Sequence, residues 1–207
     1  MKNVSIVSHP LIAHSLTILR DKNTATEEFR RHADVVSKIL LIEALKELHL
    51  TDKKVETPLS PFLGKKLSDE VIVVPVLRAG LAMLHALQDL LPSVSIGFIG
   101  LERDEKTAIA REYYKKIPKI FATHIVLVID PMLATGGSMD NTITAVKQKG
   151  SKRIVGVSIV SAPEGLQRVT KAHPDVPIVI SALDEGLDDH AYIVPGLGDF
   201  GDKYFGT

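Results

Sequence analysis

The stretch Ile125–Asn141, IVLVIDPMLATGGSMDN, constrains the fold of this chain more than any other. It opens with consecutive apolar residues from Ile125 to Ile129, rich in Val and Ile. A run that short and that apolar predicts a strand buried on both faces, and so a parallel sheet covered by helices. The run ends at Asp130. Pro131 and small residues follow, then Thr135, Gly136, Gly137 and Ser138. Met139, Ile143 and Val146 then recur at helical spacing. The order is strand, loop, helix, with a carboxylate at the strand's end and two glycines where the helix opens. Consecutive glycines let backbone N–H groups turn towards one point, and a helix N-terminus adds partial positive charge there. Thr135 and Ser138 add hydroxyl donors. The pattern reads as a cradle for one phosphate, with Asp130 placed to hold something beside it.

A tight strand-to-helix turn with a Ser N-cap is the simpler account of Gly-Gly-Ser. Asp130 weighs against it. A carboxylate at the end of a buried strand is costly without partners, and ligands of open α/β sheets sit at the carboxyl ends of the strands. No Lys follows the second glycine, so the loop is not a Walker-type P-loop.

The segment Val128-Ile129-Asp130-Pro131-Met132-Leu133-Ala134-Thr135-Gly136-Gly137-Ser138 resembles the phosphoribosyl diphosphate (PRPP) motif of type I phosphoribosyltransferases. Most of that superfamily carries two adjacent acidic residues. Here Ile129 stands in the first position and Pro131 follows the single Asp. That departure resembles one branch, the uracil phosphoribosyltransferases.

The rest of the chain is compatible with such an enzyme. Its 207 residues suit one compact domain with a sizeable core. Lys+Arg and Asp+Glu balance at 25 each, which argues against a mainly electrostatic nucleic-acid or membrane binder. There is no Cys, which excludes disulfides, zinc thiolates and a Cys nucleophile. The start, MKNVSIVSHP, does not read as a signal peptide, and no apolar run is long enough to span a membrane. A cytoplasmic location is expected. The His residues are scattered without metal-ligand spacing and read as structural or surface groups.

In chain order, Val4–Val7 predicts a short strand and His9-Pro10 opens a helix to about Arg20. Thr24 with Glu27 fits a capping box. Phe29, Ala33, Val36, Leu40 and Ala44 then predict a long amphipathic helix ending near Leu50. Residues 1–50 therefore form an N-terminal helical part. Thr51–Ser68 is polar, with Pro58, Pro61 and Gly64, and reads as a connector or a projecting arm.

The core is expected over residues 71–183. Val71–Val74 predicts a buried strand, and Pro75-Val76-Leu77-Arg78-Ala79-Gly80 ends it before a helix from Leu81 to Leu91. Arg78 so occupies the same topological place as Asp130, at a strand end. A cation at a helix N-terminus is unfavourable without an anion. Val94–Ile99 is the next strand. The charged stretch Glu102–Lys119 follows, with Arg103 at its root, and reads as an active-site lid. Ile154–Val160 and Val176–Ile180 are further strands, with a helix over Pro163–His173 between them. This alternation predicts an open parallel sheet with helices on its faces.

Residues 184–207 are rich in Gly and Pro among hydrophobic side chains. Gly196-x-Gly198-x-x-Gly201 formally matches a dinucleotide fingerprint, but too little chain follows for the required βαβ unit. What remains is a Gly-rich loop exposing main-chain donors and acceptors. Two glycines flanking Leu197 suggest close backbone approach or positive φ.

The resemblance extends to three segments in order. Pro-Val-Leu-Arg-Ala-Gly is similar to the uracil-enzyme loop whose Arg contacts the diphosphate of PRPP. The stretch after Glu102 resembles that family's mobile hairpin, with Lys106 where the family usually has Glu. Tyr192–Asp202, with its Gly-Leu-Gly-Asp core, is similar to the family's uracil-binding hood. The resemblance implies a type I phosphoribosyltransferase-like α/β fold and the reaction of uracil with PRPP to give UMP and diphosphate. It implies catalytic roles for Arg103, Asp130 and Asp199. It implies PRPP contacts from Arg78, Arg103, Asp130, Pro131, Met132, Leu133, Ala134, Thr135, Gly136, Gly137, Ser138 and Asp199. Uracil would be held by Ile193, Gly198, Asp199 and Phe200. Mg²⁺ is implied as carried by PRPP, without direct protein ligation. A homo-oligomer (dimer or tetramer) and a GTP effector are also implied. Two alternatives stay open: a phosphoribosyltransferase for another base, and a regulatory RNA-binding protein on this fold. The balanced charge and the intact hood argue against the second.

Overall fold

The computed structural model describes residues 3–103, 110–121 and 123–207, with the side chains of 101–112 outside that description. In chain order the elements are β1 (Val4–Ile6), α1 (Pro10–Arg20), α2 (Thr26–Ala44), β2 (Leu50–Glu56), β3 (Pro61–Leu67), β4 (Val71–Leu77) and α3 (Leu81–Leu90). There follow β5 (Ser95–Ile96), β6 (Phe98–Arg103), β7 (Ala110–Lys116), β8 (Ile125–Ile129), β9 (Met132–Leu133), α4 (Gly137–Gln148), β10 (Ile154–Ser161) and α5 (Pro163–Ala172). The chain closes with β11 (Ile178–Leu183), β12 (Gly186–Leu187), β13 (Ile193–Val194) and α6 (Phe200–Phe205).

The main sheet runs β1-β11-β10-β8-β4-β6-β7, parallel except for β7, with β5 and β9 as short additions on β4 and β10. Strand β8 is buried along its whole length, as a strand with helices on both faces must be. Alternate residues serve the two faces. Val71, Val73, Ile125, Leu127 and Ile129 pack with α1, α2 and α3, whereas Ile72, Val74, Val126 and Val128 pack with α4 and α5. From β4 the chain moves one way to β6, and from β8 it moves the other way to β10. The order therefore reverses between β4 and β8, where Val74 faces Val128 and Pro75 faces Ile129. Ligand crevices of open α/β sheets form at such a reversal.

Several expectations need correction. The Thr24–Glu27 capping box does not form: the N-cap of α2 is Ala25, without a side-chain cap, and the Thr24 hydroxyl donates instead to the Ile18 carbonyl at 2.6 Å. Helix α2 ends at Ala44, and the turn after it leads into β2. The expected strand Val94–Ile99 is divided into β5 and β6 around Gly97. Strand β4 continues through Pro75 to Leu77, which moves its end to Arg78 itself. Thr51–Ser68 is the antiparallel hairpin β2–β3, exposed along nearly all of its length, so the arm reading fits better than a connector. The expected lid lies partly outside the described residues, Lys106 included; its described flanks are the antiparallel ends of β6 and β7.

The hairpin is anchored at its root. Asp69 accepts hydrogen bonds from the Arg153 guanidinium at 2.9 Å and from the His49 N–H at 2.8 Å, tying the hairpin's exit to the start of β10. The Arg153 hydrogen bonds hold the Asp69 carboxyl well below the usual carboxylate range. A depressed folded-state pKa contributes stability above the unfolded value of about 4, lost as pH falls below it. Asp69→Asn should therefore destabilise the protein by about 1–3 kcal/mol at pH 7, with the difference shrinking below about pH 4. Urea unfolding at pH 7 and pH 3 checks this; equal midpoints at pH 7 would remove the anchor.

Candidate active site

At the end of β8 the central loop is held by the neighbouring strand rather than by itself. The Pro131 carbonyl accepts from the N–H groups of Ile159 and Val160, both at 3.0 Å, and the Leu133 carbonyl from Ala162 at 2.9 Å. Strand β10 outruns β8 and so carries the loop onward through β9. Gly136 is the N-cap of α4 with φ +77°, a conformation that only glycine adopts cheaply. Ser138 is not the cap. The N–H groups of Gly137, Ser138 and Met139 find no backbone or side-chain acceptor among the described residues. They are the free donors of a first helical turn, and with the helix dipole they suit an anion.

Helix α5 closes the back of this cradle. A Cβ on Gly165 would lie 2.8 Å from the Leu133 carbonyl oxygen, and one on Gly136 would lie 2.7 Å from the Gly165 carbonyl. Each glycine so permits the other's approach. Gly165 was not among the expected site residues; its only sequence signal is a glycine in the first turn of a Pro-led helix. Behind α4, the Asp140 carboxylate accepts from Arg168 and faces His173, both at 3.0 Å.

Asp130 is fixed through its main chain. Its N–H donates to the Val157 carbonyl at 3.1 Å, and its own carbonyl accepts from the Ser158 hydroxyl at 2.5 Å. Among the described residues its side chain has only a marginal 3.5 Å contact from the Met132 N–H. Desolvation therefore dominates, and the carboxyl is pushed up to about 7.

Arg78 stands exposed across the β4–β8 reversal. Its guanidinium lies 3.7 Å from the Asp202 carboxylate and 5.9 Å from the Phe205 ring centroid, both on the C-terminal segment. Gly80 allows this loop to sit against β8, since a Cβ there would lie 2.7 Å from the Ile129 carbonyl. Arg103 ends β6 opposite Ala110, and its side chain lies outside the description.

The C-terminal segment is more regular than a Gly-rich loop. Strands β12 and β13 pair antiparallel, Gly196 and Gly198 take φ +55° and +81°, and α6 follows. Asp199 caps α6 by accepting from the Asp202 N–H at 2.9 Å. The Phe200 ring is only 1% exposed and packs edge-on to Phe29, so it is chiefly the bolt that holds α6 to α2. Ile193, Gly198, Asp199 and Phe200 all line one cavity of about 190 Å³, together with Ala79 of the Arg78 loop and Met132 and Ala134 of the central loop. The three segments singled out in the sequence so meet at one place. A cavity below the usual 300 Å³ suits a ligand smaller than a drug molecule. A larger cavity, about 440 Å³, opens at the amino ends of the strands beside Ile125 and Ile154, away from these loops.

The raised Asp130 pKa has a consequence for stability. A folded-state value above the unfolded one means that ionisation opposes folding, so stability falls as pH rises from about 4 to about 7. Because the side chain keeps some contact with water, the loss is on the order of 2–3 kcal/mol. Asp130→Asn should melt higher than the parent protein at pH 8, and the gap should narrow towards pH 4. A variant that melts lower at pH 8 would mean that the carboxylate already has partners in the free protein.

Comparison with known proteins places this architecture. The family model for uracil phosphoribosyltransferase matches residues 6–207. The uracil phosphoribosyltransferase of Campylobacter fetus subsp. fetus is 47% identical over 207 residues, covering 100% of this chain and 99% of that protein. The one from Finegoldia magna is 48% identical over 208 residues, covering all of both chains. A solved protein from Aquifex aeolicus superposes with a TM-score of 0.92 at 35% identity, over 98% of this chain and 97% of that one. A hypoxanthine phosphoribosyltransferase from Staphylococcus aureus, 13% identical with a TM-score of 0.51 over 76% of each chain, shares the fold alone. The full-length family match and the near-half identity carry one conclusion: the chain belongs to the uracil phosphoribosyltransferase family.

Proposed function

We propose that this chain transfers the phosphoribosyl group of PRPP to uracil, giving UMP, diphosphate and a proton. The observation that carries the reading is the cavity in which the Arg78 loop, the central loop and the C-terminal segment meet. Residues 134–138 hold the 5′-phosphate on the free N–H groups at the head of α4, with the hydroxyls of Thr135 and Ser138 beside them. Pro131, Met132 and Leu133 shape the path between that cradle and Asp130. The main chain at Ile193 and Gly198 pairs with the alternating C=O and N–H groups of uracil. Phe200 keeps that main chain in place. Asp199, whose Oδ1 is used as a cap, has its other oxygen for the base and ribose.

Breaking the anomeric C–O bond builds positive charge on the ribose and negative charge on the departing diphosphate. Asp130, ionised, holds the ribose hydroxyls and stabilises the cationic sugar. Arg78 and Arg103 neutralise the diphosphate. Uracil loses its N1 proton as the new N–C bond forms, and no covalent nucleophile is needed. Among the described residues no group of three His, Asp or Glu side chains could cage a metal. A single carboxylate near substrate phosphates suits Mg²⁺ brought in on PRPP, where the ion would supply further charge neutralisation at the diphosphate. A second copy of the chain is the proposed partner of the β2–β3 hairpin, on which Leu59 is 96% and Phe62 59% exposed.

Turnover with PRPP and each of uracil, cytosine, hypoxanthine and adenine tests the reading. Uracil alone should react. Cytosine, which places an amino donor where uracil places an acceptor, should be disfavoured by roughly 10⁴-fold. Asp130→Asn should fold and lose roughly 10²-fold or more in kcat. Comparable use of cytosine, or RNA binding without UMP formation, would overturn the proposal. Repeating the assay with GTP tests the implied effector, with faster turnover expected.

A further inference from the structure

We propose that Arg20 and Asp184 are positioning residues for base recognition, acting through the Gly196 peptide groups. This rests on reading residues 184–207 as the uracil-binding segment. Arg20, at the end of α1, makes a two-pronged ion pair with Asp184: Nη1 donates to Oδ2 at 2.7 Å and Nη2 to Oδ1 at 2.6 Å. The Asp184 side chain is 5% exposed and that of Arg20 25%. The same two groups hold both polar ends of one glycine. Nη1 of Arg20 donates to the Gly196 carbonyl at 2.6 Å, and the Gly196 N–H donates to Oδ2 of Asp184 at 2.9 Å.

Gly196 stands between the two main-chain elements of the cavity, Ile193 and Gly198. It turns tightly on the first of them: with φ +55°, a Cβ there would run into the Ile193 carbonyl. Fixing Gly196 therefore fixes how far apart, and at what angle, Ile193 and Gly198 present their donors and acceptors. Short charge-assisted hydrogen bonds in a mostly buried setting are the strong kind, and they set geometry as well as energy. Simple attachment of the C-terminal segment is already supplied elsewhere. Phe29 packs on Phe200, Arg30 donates to the Tyr204 carbonyl at 2.7 Å, and Lys203 donates to the Asp21 carbonyl at 3.3 Å. Those contacts hold α6. The Arg20–Asp184 pair acts on the loop before it.

Steady-state kinetics separate the two roles. Arg20→Lys keeps the charge but cannot serve both Asp184 oxygens and Gly196 with a planar fork. Asp184→Asn keeps an acceptor for the Gly196 N–H but loses the charge. Each should raise the uracil KM about tenfold or more, the scale of one charge-assisted hydrogen bond. The PRPP KM and kcat should change less than about threefold. Arg20→Ala, which strands a buried carboxylate, should be worse than Arg20→Lys, so that Lys partly rescues. A merely structural role would lower the melting temperature and the active fraction without moving the uracil KM. Unchanged uracil KM in folded variants, or equal rises for uracil and PRPP, would overturn the inference. Hydrogen exchange of the unmutated protein tests it without any variant: the Gly196 amide should be protected before substrate is added, and fast exchange there would also overturn it. Failure of the functional reading looks different, since the unmutated protein would then form no UMP at all.

Discussion

Strand β8 has water on neither face, and the chemistry of the molecule is arranged around that fact. The strand carries no polar side chain along its length, and the first one stands where it leaves the sheet. That residue is Asp130, and the same desolvation that excludes charge from the strand pushes its carboxyl up to about 7. The free site is thus electrostatically poor for an anion of its own. Hydroxyls and cationic groups arriving with a substrate would relieve it, which is a physical reason for binding at this place rather than elsewhere on the surface.

The neighbouring cradle depends on glycine in a different way. Gly136 and Gly165 bring the head of α4 and the first turn of α5 closer than any side chain would allow. The result is a set of N–H groups at the head of α4 with no acceptor among the described residues, on a helix whose Asp140 is taken by Arg168 and His173. A phosphate bound there would meet backbone donors and a helix dipole rather than a cluster of side chains. The strand β10 enforces this arrangement by holding Pro131 and Leu133 from the side.

The third part of the site is built from the two ends of the chain. Helices α1 and α2 cover the sheet, and the C-terminal segment lies on them. Phe29 and Phe200 share one buried contact, so Phe200, which lines the cavity, is packed into the core. Arg78 leans over the same segment towards Asp202 and Phe205. The cavity walls therefore come from residues near 79, 132 and 198, none of which is adjacent to another in sequence.

What the sequence determined by itself was local and periodic. The apolar run Ile125–Ile129, the strand–helix alternation after Val71, and Asp130, Arg78 and the two glycines around Leu197 were all legible. Each depends on burial of a short segment or on a conformation that only glycine adopts. The motif resemblance then supplied the family. The helix within residues 184–207 was not legible, because six residues are too few to show a period and α6 is stabilised by its Asp199 cap and by Phe29. Nor could the sequence reveal that Phe200 is mainly a core residue. The Arg20–Asp184–Gly196 contacts lie beyond any local signal, joining residues separated by 164 and 176 positions. Arg and Asp are ordinary surface residues until folding removes water from one of them and gives it a partner. That choice was made by the tertiary structure alone, since charge pairing is decided by which groups lose solvent together.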